Sequence, residues 1–423
     1  MIRSSVAAAL PPVGLYVHIP FCVSICPYCD FVVVAGSEAR GPRNRIAAFV
    51  DALLVELDLR ADALDERFGR PGRTAGRTAG RRPALGSLYL GGGTPSLLPA
   101  ESLAAIIDRV RRRFGLGDGA EVTLEANPGP DERGDPESHH EVGITRISFG
   151  AQSFNGGELG QLGRRHAPGD IVEAVAAARA AGIGSINLDL LYDIPGQTLA
   201  TWTDSLERAL GLAPDHLSLY ALILDDPDAE GLTGPGGDHL PTTAGARRWR
   251  ARARTAQDDD RAAGMYHLAS HRLDEARYRG YELSNWARPG HESRHNLAYW
   301  ERRPVEAVGP GAHAFDGAVR RWNAARLDGY IGALRPVLPG VAPHFPPGTA
   351  EPPLEPAAAS AEAIILGLRL DTGVPLVAFL EPPFDETLAW ADSAGLVEQT
   401  ADGRIRLTIN GRLLSNEVFG RLI

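Results

Sequence analysis

The chain of 423 residues contains no lysine; all 43 of its basic residues are arginine. Together with abundant alanine, glycine and proline, this absence reads as the imprint of a GC-rich genome and says nothing of function. Basic charge is also in deficit, 43 residues against 53 acidic ones, for a formal net charge of −10. That balance argues against a nucleic-acid partner, because such proteins carry a net basic face. No run of about 18 apolar residues is present to span a bilayer. The opening "MIRSSVAAALPPVG" is too short and too broken by proline for a secretory leader. A cytoplasmic protein without an integral membrane segment is the expectation. Cysteine is nearly missing as well. The three present, Cys22, Cys26 and Cys29, all fall inside "HIPFCVSICPYCDF". An odd, clustered trio in a reducing compartment excludes a disulfide framework.

What is present is a repeated α/β pattern. Six short β-like runs recur in the first 225 residues: "LYVHIP" (15–20), "SLYLGGG" (87–93), "EVTLEA" (121–126), "RISFGAQ" (146–152), "SINLDLLY" (185–192) and "HLSLYAL" (216–222). Helical patterns separate them, clearest where Ile46, Phe49, Val50, Leu53, Leu54 and Leu57 share one face. Strand and helix in alternation predict a parallel sheet with right-handed crossovers, either an incomplete barrel or an open doubly wound sheet. Distinctive polar or glycine residues gather at the C-terminal ends of the strands, the edge on which barrel-type folds build their sites. The crossover "PGPDERGDPESHHEVG" lacks an apolar stripe and predicts a short or irregular connection. "GRPGRTAGRTAGRR" (69–82) reads as a mobile basic loop. "GARRWRARARTAQDDD" (245–260) reads as a solvated helix face. A proline-rich stretch over 335–356 reads as a linker. Beyond it, helices and a hairpin turning at Asp402-Gly403 predict a winged-helix-like α+β module.

The thiol spacing, Cys-x3-Cys-x2-Cys just after the first strand, admits four readings. A structural zinc needs four closed ligands and would have to recruit His18 or a remote histidine. A redox pair would use Cys26 and Cys29 and leave Cys22 without a role. Unreactive buried cysteines scatter through cores and do not gather on one loop. An iron-sulfur cluster uses all three thiolates and leaves one iron open to an outside ligand.

CxxxCxxC after the first strand of a β/α repeat resembles the signature of the radical S-adenosylmethionine superfamily, and "GGGTPS" (91–96) resembles that superfamily's glycine-rich loop. "YVHIPFC", "GGGTPSLL", "LEANPG", "SFGAQSF", "LGRRH", "DLLYDIPGQT", "YELSNWARPG" and "HNLAYW", spanning residues 16–300 in family order, are similar to the HemN/HemW family of anaerobic coproporphyrinogen III oxidase-like proteins. The resemblance implies a partial (β/α)6 barrel over about 12–225 in a core of residues 1–334, the linker, and a HemN-type C-terminal domain at 357–423. It also implies a 4Fe-4S cluster on Cys22, Cys26 and Cys29, with S-adenosylmethionine chelating the open iron. One electron from the cluster would then cleave that cofactor to a 5′-deoxyadenosyl radical. By motif, Tyr16 would lie near the bound cofactor and Tyr28 would flank its adenine. Gly92, Gly93 and Thr94 would hold the methionyl group. Glu125, Gln152, Arg164 and Asp189 would meet the remaining polar groups.

Within that family the oxidase branch carries an N-terminal extension and a further cysteine two positions beyond the last; here the position is Phe31, and 14 residues precede the first strand. Both features, and "HNLAYW" (295–300), resemble the heme-chaperone branch, whose members bind heme and hand it to acceptor proteins. The resemblance therefore implies heme, heme-acceptor proteins and a reductant such as flavodoxin or NAD(P)H as partners. His295 becomes a heme-ligand candidate, with His313 a weaker one. The oxygen-independent coproporphyrinogen III oxidase activity of the sister branch is the alternative. One departure stands out: Asp193 occupies a position in "YDIPGQT" where the family usually has glycine.

Overall fold

The computed structural model describes residues 9–35, 44–72, 80–225, 227–335 and 343–423. Six parallel strands carry the core: β1 (Gly14–Ile19), β2 (Leu85–Gly92), β3 (Leu116–Ala126), β4 (Arg146–Gln152), β5 (Ser185–Tyr192) and β6 (His216–Ala221), hydrogen-bonded in that order. The partial barrel, not the open doubly wound sheet, is the arrangement found. Period-two alternation explains the wall. Leu15, Val17 and Ile19 are buried on one side of β1. On β4 the opposite parity, Arg146, Ser148, Gly150 and Gln152, faces an interior cavity.

The helices cover the outside. α1 (Asn44–Phe68) buries Phe49, Val50, Leu53 and Leu57, most of the apolar stripe read from sequence, with Ile46 and Leu54 partly covered. α2 (Ala100–Arg113) follows β2, and α3 (Pro136–Glu141) is the short crossover the missing stripe predicts. Asp135 caps α3 by accepting from the amides of Glu137 and Ser138. α4 (Gly156–Gln161) and α5 (Pro168–Ala180) follow β4, α6 (Leu199–Gly211) follows β5, and α7 (Ala244–Arg254) and α8 (Asp259–Glu275) follow β6.

Beyond residue 275 the chain does more than the sequence suggests. β7 (Asn285–Ala287) adds antiparallel to β6, and α9 (Arg294–Trp300) closes the bottom of the barrel. β8 (Val305–Val308) then adds parallel to the free side of β1. A seventh parallel strand, four residues long, thus extends the predicted six. Its end is pinned to α1 by the fully buried Glu56, which accepts from the Gly309 amide (2.9 Å), Asn323 Nδ2 (2.9 Å), Tyr330 hydroxyl (2.7 Å) and Arg60 (3.0 Å). A buried carboxylate survives only with such full pairing.

β9 (His313–Phe315), β10 (Arg320–Asn323) and β11 (Gly348–Ala350) extend the edge antiparallel, with α10 (Leu327–Leu334) between the last two. β11 lies inside the stretch read as a linker, so that part of it is a sheet edge. The repeated GRTA unit falls largely outside the described residues, although Pro71 and Arg82 bridge its two ends. The C-terminal module packs α11 (Pro356–Leu368), α12 (Phe384–Ser393), α13 (Ile409–Leu413) and α14 (Ser415–Gly420) on a small sheet. That sheet contains β12 (Val374–Pro375), β13 (Val397–Gln399) and β14 (Arg404–Leu407), and the module has its own core of Ile364, Phe379, Ile405 and Phe419. The predicted hairpin is β13–β14. No helix among the described residues is long and apolar enough to cross a membrane.

Candidate active site

A cavity of about 400 Å³ runs down the interior from the C-terminal strand ends. It is lined at the mouth by all three cysteines and below by side chains of β2 to β6. The loop bearing the thiols is shaped by a short parallel pairing of Phe21–Cys22 with Val34–Ala35. Phe31 stands at the rim, 63% exposed. Burial pushes the Cys22 thiol up to about 11 and drives Cys29 higher, the neighbouring thiols adding to the effect. Without a cation these sulfurs stay protonated; a bound metal inverts that preference and deprotonates a coordinating thiol.

Two cysteines are reached by polar side chains from the barrel. Thr94 Oγ1 donates to Cys22 Sγ at 3.5 Å and Arg164 Nη1 to Cys26 Sγ at 3.6 Å. Asn127 couples the two donors. Its Nδ2 donates to Thr94 Oγ1 at 3.1 Å and its Oδ1 accepts from Arg164 Nη2 at 2.5 Å. Glu132 fixes the amide by accepting from the same Nδ2 at 3.1 Å. Asn127 directly follows β3, two positions beyond Glu125, and shares its side of the chain, a signal present in "LEANPG" because residues two apart in extended backbone face the same way.

The glycine-rich turn is tight enough to require its glycines. Gly92 has φ of 109°, and a Cβ there would fall 2.4 Å from the His18 ring; at Gly93 it would fall 2.6 Å from the Phe21 carbonyl oxygen. Glu125 binds this turn, accepting from the Gly92 amide at 2.9 Å and the Tyr89 hydroxyl at 2.8 Å. Burial nevertheless raises its carboxyl to about 7. Asp189 accepts from Ser148 Oγ (3.1 Å) and Asn187 Nδ2 (2.7 Å), and burial raises it too. Gln152 lines the upper wall with φ of 64°, beside an irregularity in the β4–β5 register. Such strain is concentrated at functional positions. At the bottom Arg146, 3% exposed, lines the cavity with its Nε unpartnered.

Of the sequence-named positions, Cys22, Cys26, Cys29, Tyr28, Gly92, Gly93, Thr94, Glu125, Gln152, Arg164 and Asp189 all line this one cavity. Tyr16 does not. Its hydroxyl bonds His18 Nδ1 at 3.0 Å and its ring packs near Tyr89 and His295, beneath the lining. His295 departs from the reading as a heme ligand. It is 1% exposed, both ring nitrogens are engaged, by Ser87 Oγ at 3.0 Å and Tyr299 hydroxyl at 2.9 Å, and burial lowers it to about 3. It works as a keystone locking α9 to β2. Trp300, at the other end of the same helix, lies under the Arg369 guanidinium of the C-terminal module at 4.1 Å.

The arginine run at 245–260 is likewise not merely a solvated face. Arg250 is 3% exposed and clamps the thiol loop from α7: Nε donates to Pro27 O at 3.1 Å, Nη2 to Cys29 O at 2.9 Å, and Nη1 to Asp225 O. Trp249 beside it packs against Tyr28, ring centroids 6.4 Å apart. Asp193, the departure from glycine, keeps a left-handed backbone, φ 58°, and its buried carboxylate pairs with Arg261 of α8.

Comparison with known proteins accords with this geometry. The sequence matches the Radical SAM superfamily over residues 16–209 and the HemN C-terminal domain over residues 354–414. It is 36% identical over 415 residues to the heme chaperone HemW of Mycobacterium tuberculosis, covering 97% of this chain and 95% of that protein. The chain belongs to the HemN/HemW family of radical S-adenosylmethionine proteins. The heme chaperone HemW of Bacillus subtilis is 31% identical over 418 residues, covering 96% and 98% of the two chains. Among solved structures, coproporphyrinogen III oxidase (HemN) from Escherichia coli, a radical SAM enzyme, superposes with a TM-score of 0.74 at 22% identity, covering 98% of this chain and 90% of that one. That likeness establishes the HemN/HemW fold for both the barrel and the module.

Proposed function

We propose that this HemN/HemW family member is a heme-binding and heme-delivering protein of the cytoplasm, built on a core that holds a 4Fe-4S cluster and S-adenosylmethionine. The observation that carries the reading is the thiol loop itself: three free cysteines at one cavity mouth, with exposed Phe31 where the oxidase branch has another cysteine. Full-length similarity to proteins named heme chaperone HemW supports it. The residues fit the cofactors. Three thiols form a donor set with one position left for an outside ligand, the glycine turn leaves backbone accessible, and Arg164 has a buried, unpartnered Nε. When bound, the cluster and S-adenosylmethionine supply one-electron chemistry.

The chain's own residues hold and insulate that site. Cys22, Cys26 and Cys29 would ligate the cluster; Thr94 and Arg164 donate to two of the sulfurs; Gly92 and Gly93 would admit the methionyl group. Glu125, Gln152 and Asp189 would present acceptors to the cofactor, and Tyr28 would flank its adenine. A cellular reductant such as flavodoxin or NAD(P)H would supply the electron, and acceptor proteins would receive the heme.

The alternative, oxidative decarboxylation of coproporphyrinogen III, draws support from Arg146, whose buried guanidinium could pair with a propionate carboxylate. One experiment separates the two. Anaerobically reconstituted protein is incubated with S-adenosylmethionine, a reductant and coproporphyrinogen III, and is titrated separately with hemin. A Soret band without protoporphyrinogen formation is expected; protoporphyrinogen would overturn the chaperone reading.

A further inference from the structure

With both nitrogens of His295 engaged inside the barrel, a heme iron needs another ligand. A different pair of imidazoles meets the requirement on the outer face. Asp238 sits between His239 and His313. Its Oδ1 accepts from His239 Nδ1 at 3.0 Å, and its Oδ2 lies 2.9 Å from His313 Nε2. The carboxylate is 13% exposed, the imidazoles 27% and 50%.

The group is built into the fold. His313 lies directly across from Trp322 in the β9–β10 ladder and stacks on its indole, centroids 5.5 Å apart and planes 17° apart. The loop carrying His239 is closed by a bridge between Thr233 and His239, and Gly237 O accepts from the Ala325 amide at 2.9 Å. Gly311 wedges this loop against the thiol loop: a Cβ there would fall 2.5 Å from Val32 Cγ2 and 3.1 Å from Asp238 O. The two histidines therefore flank the same segment that presents Phe31.

We infer that His239 is the axial ligand of the heme this protein carries, with Asp238 as its positioning residue; the inference rests on the heme-chaperone reading. His239 Nδ1 is spent on the carboxylate, whereas Nε2 has no hydrogen-bond partner among the described residues and belongs to a part-exposed ring. A histidine that ligates metal through one nitrogen usually donates the other N–H to a carboxylate, which fixes the tautomer and raises the basicity of the ligating nitrogen. Imidazole is a common proximal heme ligand. In His313 the arrangement is reversed, with Nε2 facing Asp238 and Nδ1, beside the Cβ attachment, left over. That histidine steadies Asp238 from the far side, and the Trp322 ring offers apolar surface beside the site. A single ligand on an open face, outside the barrel, also suits a molecule whose cargo must leave.

The test is hemin titration of the full-length protein, read by Soret position and by electron paramagnetic resonance. Variants are His239→Ala, His313→Ala, Asp238→Asn and His295→Ala, each checked for folding by circular dichroism. Wild type is expected to give a histidine-ligated spectrum. His239→Ala should lose it, bind hemin at least tenfold more weakly, and regain the spectrum when free imidazole is added. Asp238→Asn should keep ligation but lower the iron–histidine stretching frequency in resonance Raman spectra, an effect a purely structural role would not give. A wild-type spectrum in His239→Ala, or loss confined to His313→Ala or His295→Ala, overturns the inference alone. Absence of any hemin binding by wild type overturns the heme reading itself.

Discussion

Arg250 Nη2 donates to the carbonyl oxygen of Cys29 at 2.9 Å, joining a helix some 220 residues downstream to the last thiol of the cluster loop. The same guanidinium holds Pro27 O and Asp225 O, so one buried cation organises three carbonyls around the site. The loop's shape is therefore set by α7 as well as by its own sequence.

Arg250→Ala should leave the barrel folded and loosen the thiol loop. Hydrogen bonds to a charged group contribute about 1.5–3 kcal/mol each, so loss of three should speed cluster release at least tenfold. Iron and sulfide content, and the decay of visible absorbance during chelator challenge, measure it. Arg250→Lys should rescue only in part, because a point cation cannot reproduce the planar fork.

Asn127→Ala removes the link between the Thr94 and Arg164 side chains and strands Glu132. Affinity for S-adenosylmethionine should fall by roughly 10–100-fold, the range found when groups that orient metal ligands are removed. Equilibrium dialysis of reconstituted protein reads this directly. Asn127→Asp should be as damaging at Thr94, where the amide donor is lost, while keeping an acceptor for Arg164.

Glu125, raised by burial to about 7, predicts a pH profile. Below that value the carboxyl holds a proton in the folded chain; above it the full acceptor is present. S-adenosylmethionine binding should strengthen as pH rises from 6 to 8, and Glu125→Gln should flatten the curve. The stability sign runs the other way. The folded state binds the proton more tightly than the unfolded chain, so wild-type stability should fall relative to Glu125→Gln as pH climbs from the ordinary carboxylate range to 7. Denaturant melts at several pH values check it.

Asp193→Gly relieves a left-handed aspartate but leaves Arg261 without its carboxylate. Asp193→Ala loses the pair and keeps a conformation costly for a side chain. Both should melt below wild type, the alanine variant lower by about 1 kcal/mol. Equal melting temperatures for the two would remove the backbone component of this account.

Much of the site was legible in motifs, the thiol spacing and the glycine-rich turn above all, and strand alternation explains why the remaining lining joins them. Arg146, Ser148, Gly150 and Gln152 had to face one way, and so did Glu125 and Asn127. What alternation cannot convey is which face is closed over. His295 has the residue type of a ligand, and only burial between Ser87 and Tyr299 makes it a keystone. Arg250 was hidden among neighbours of identical chemistry, because a run of arginines does not reveal which one turns inward. The seventh strand was missed for a different reason. Four residues, Val305–Val308, set between prolines and glycines, hold too little pattern to register as a strand and gain their structure from β1.

That late strand bears on how the protein is made. β1 leaves the ribosome nearly three hundred residues before Val305–Val308, and until that strand is synthesised one of its hydrogen-bonding edges has no partner. An uncovered edge is a template for pairing with other chains, and long-range closures are slow. Nascent chains ending before residue 305 should therefore be the aggregation-prone species, held in trust by chaperones until the last parallel strand arrives and the barrel wall is sealed.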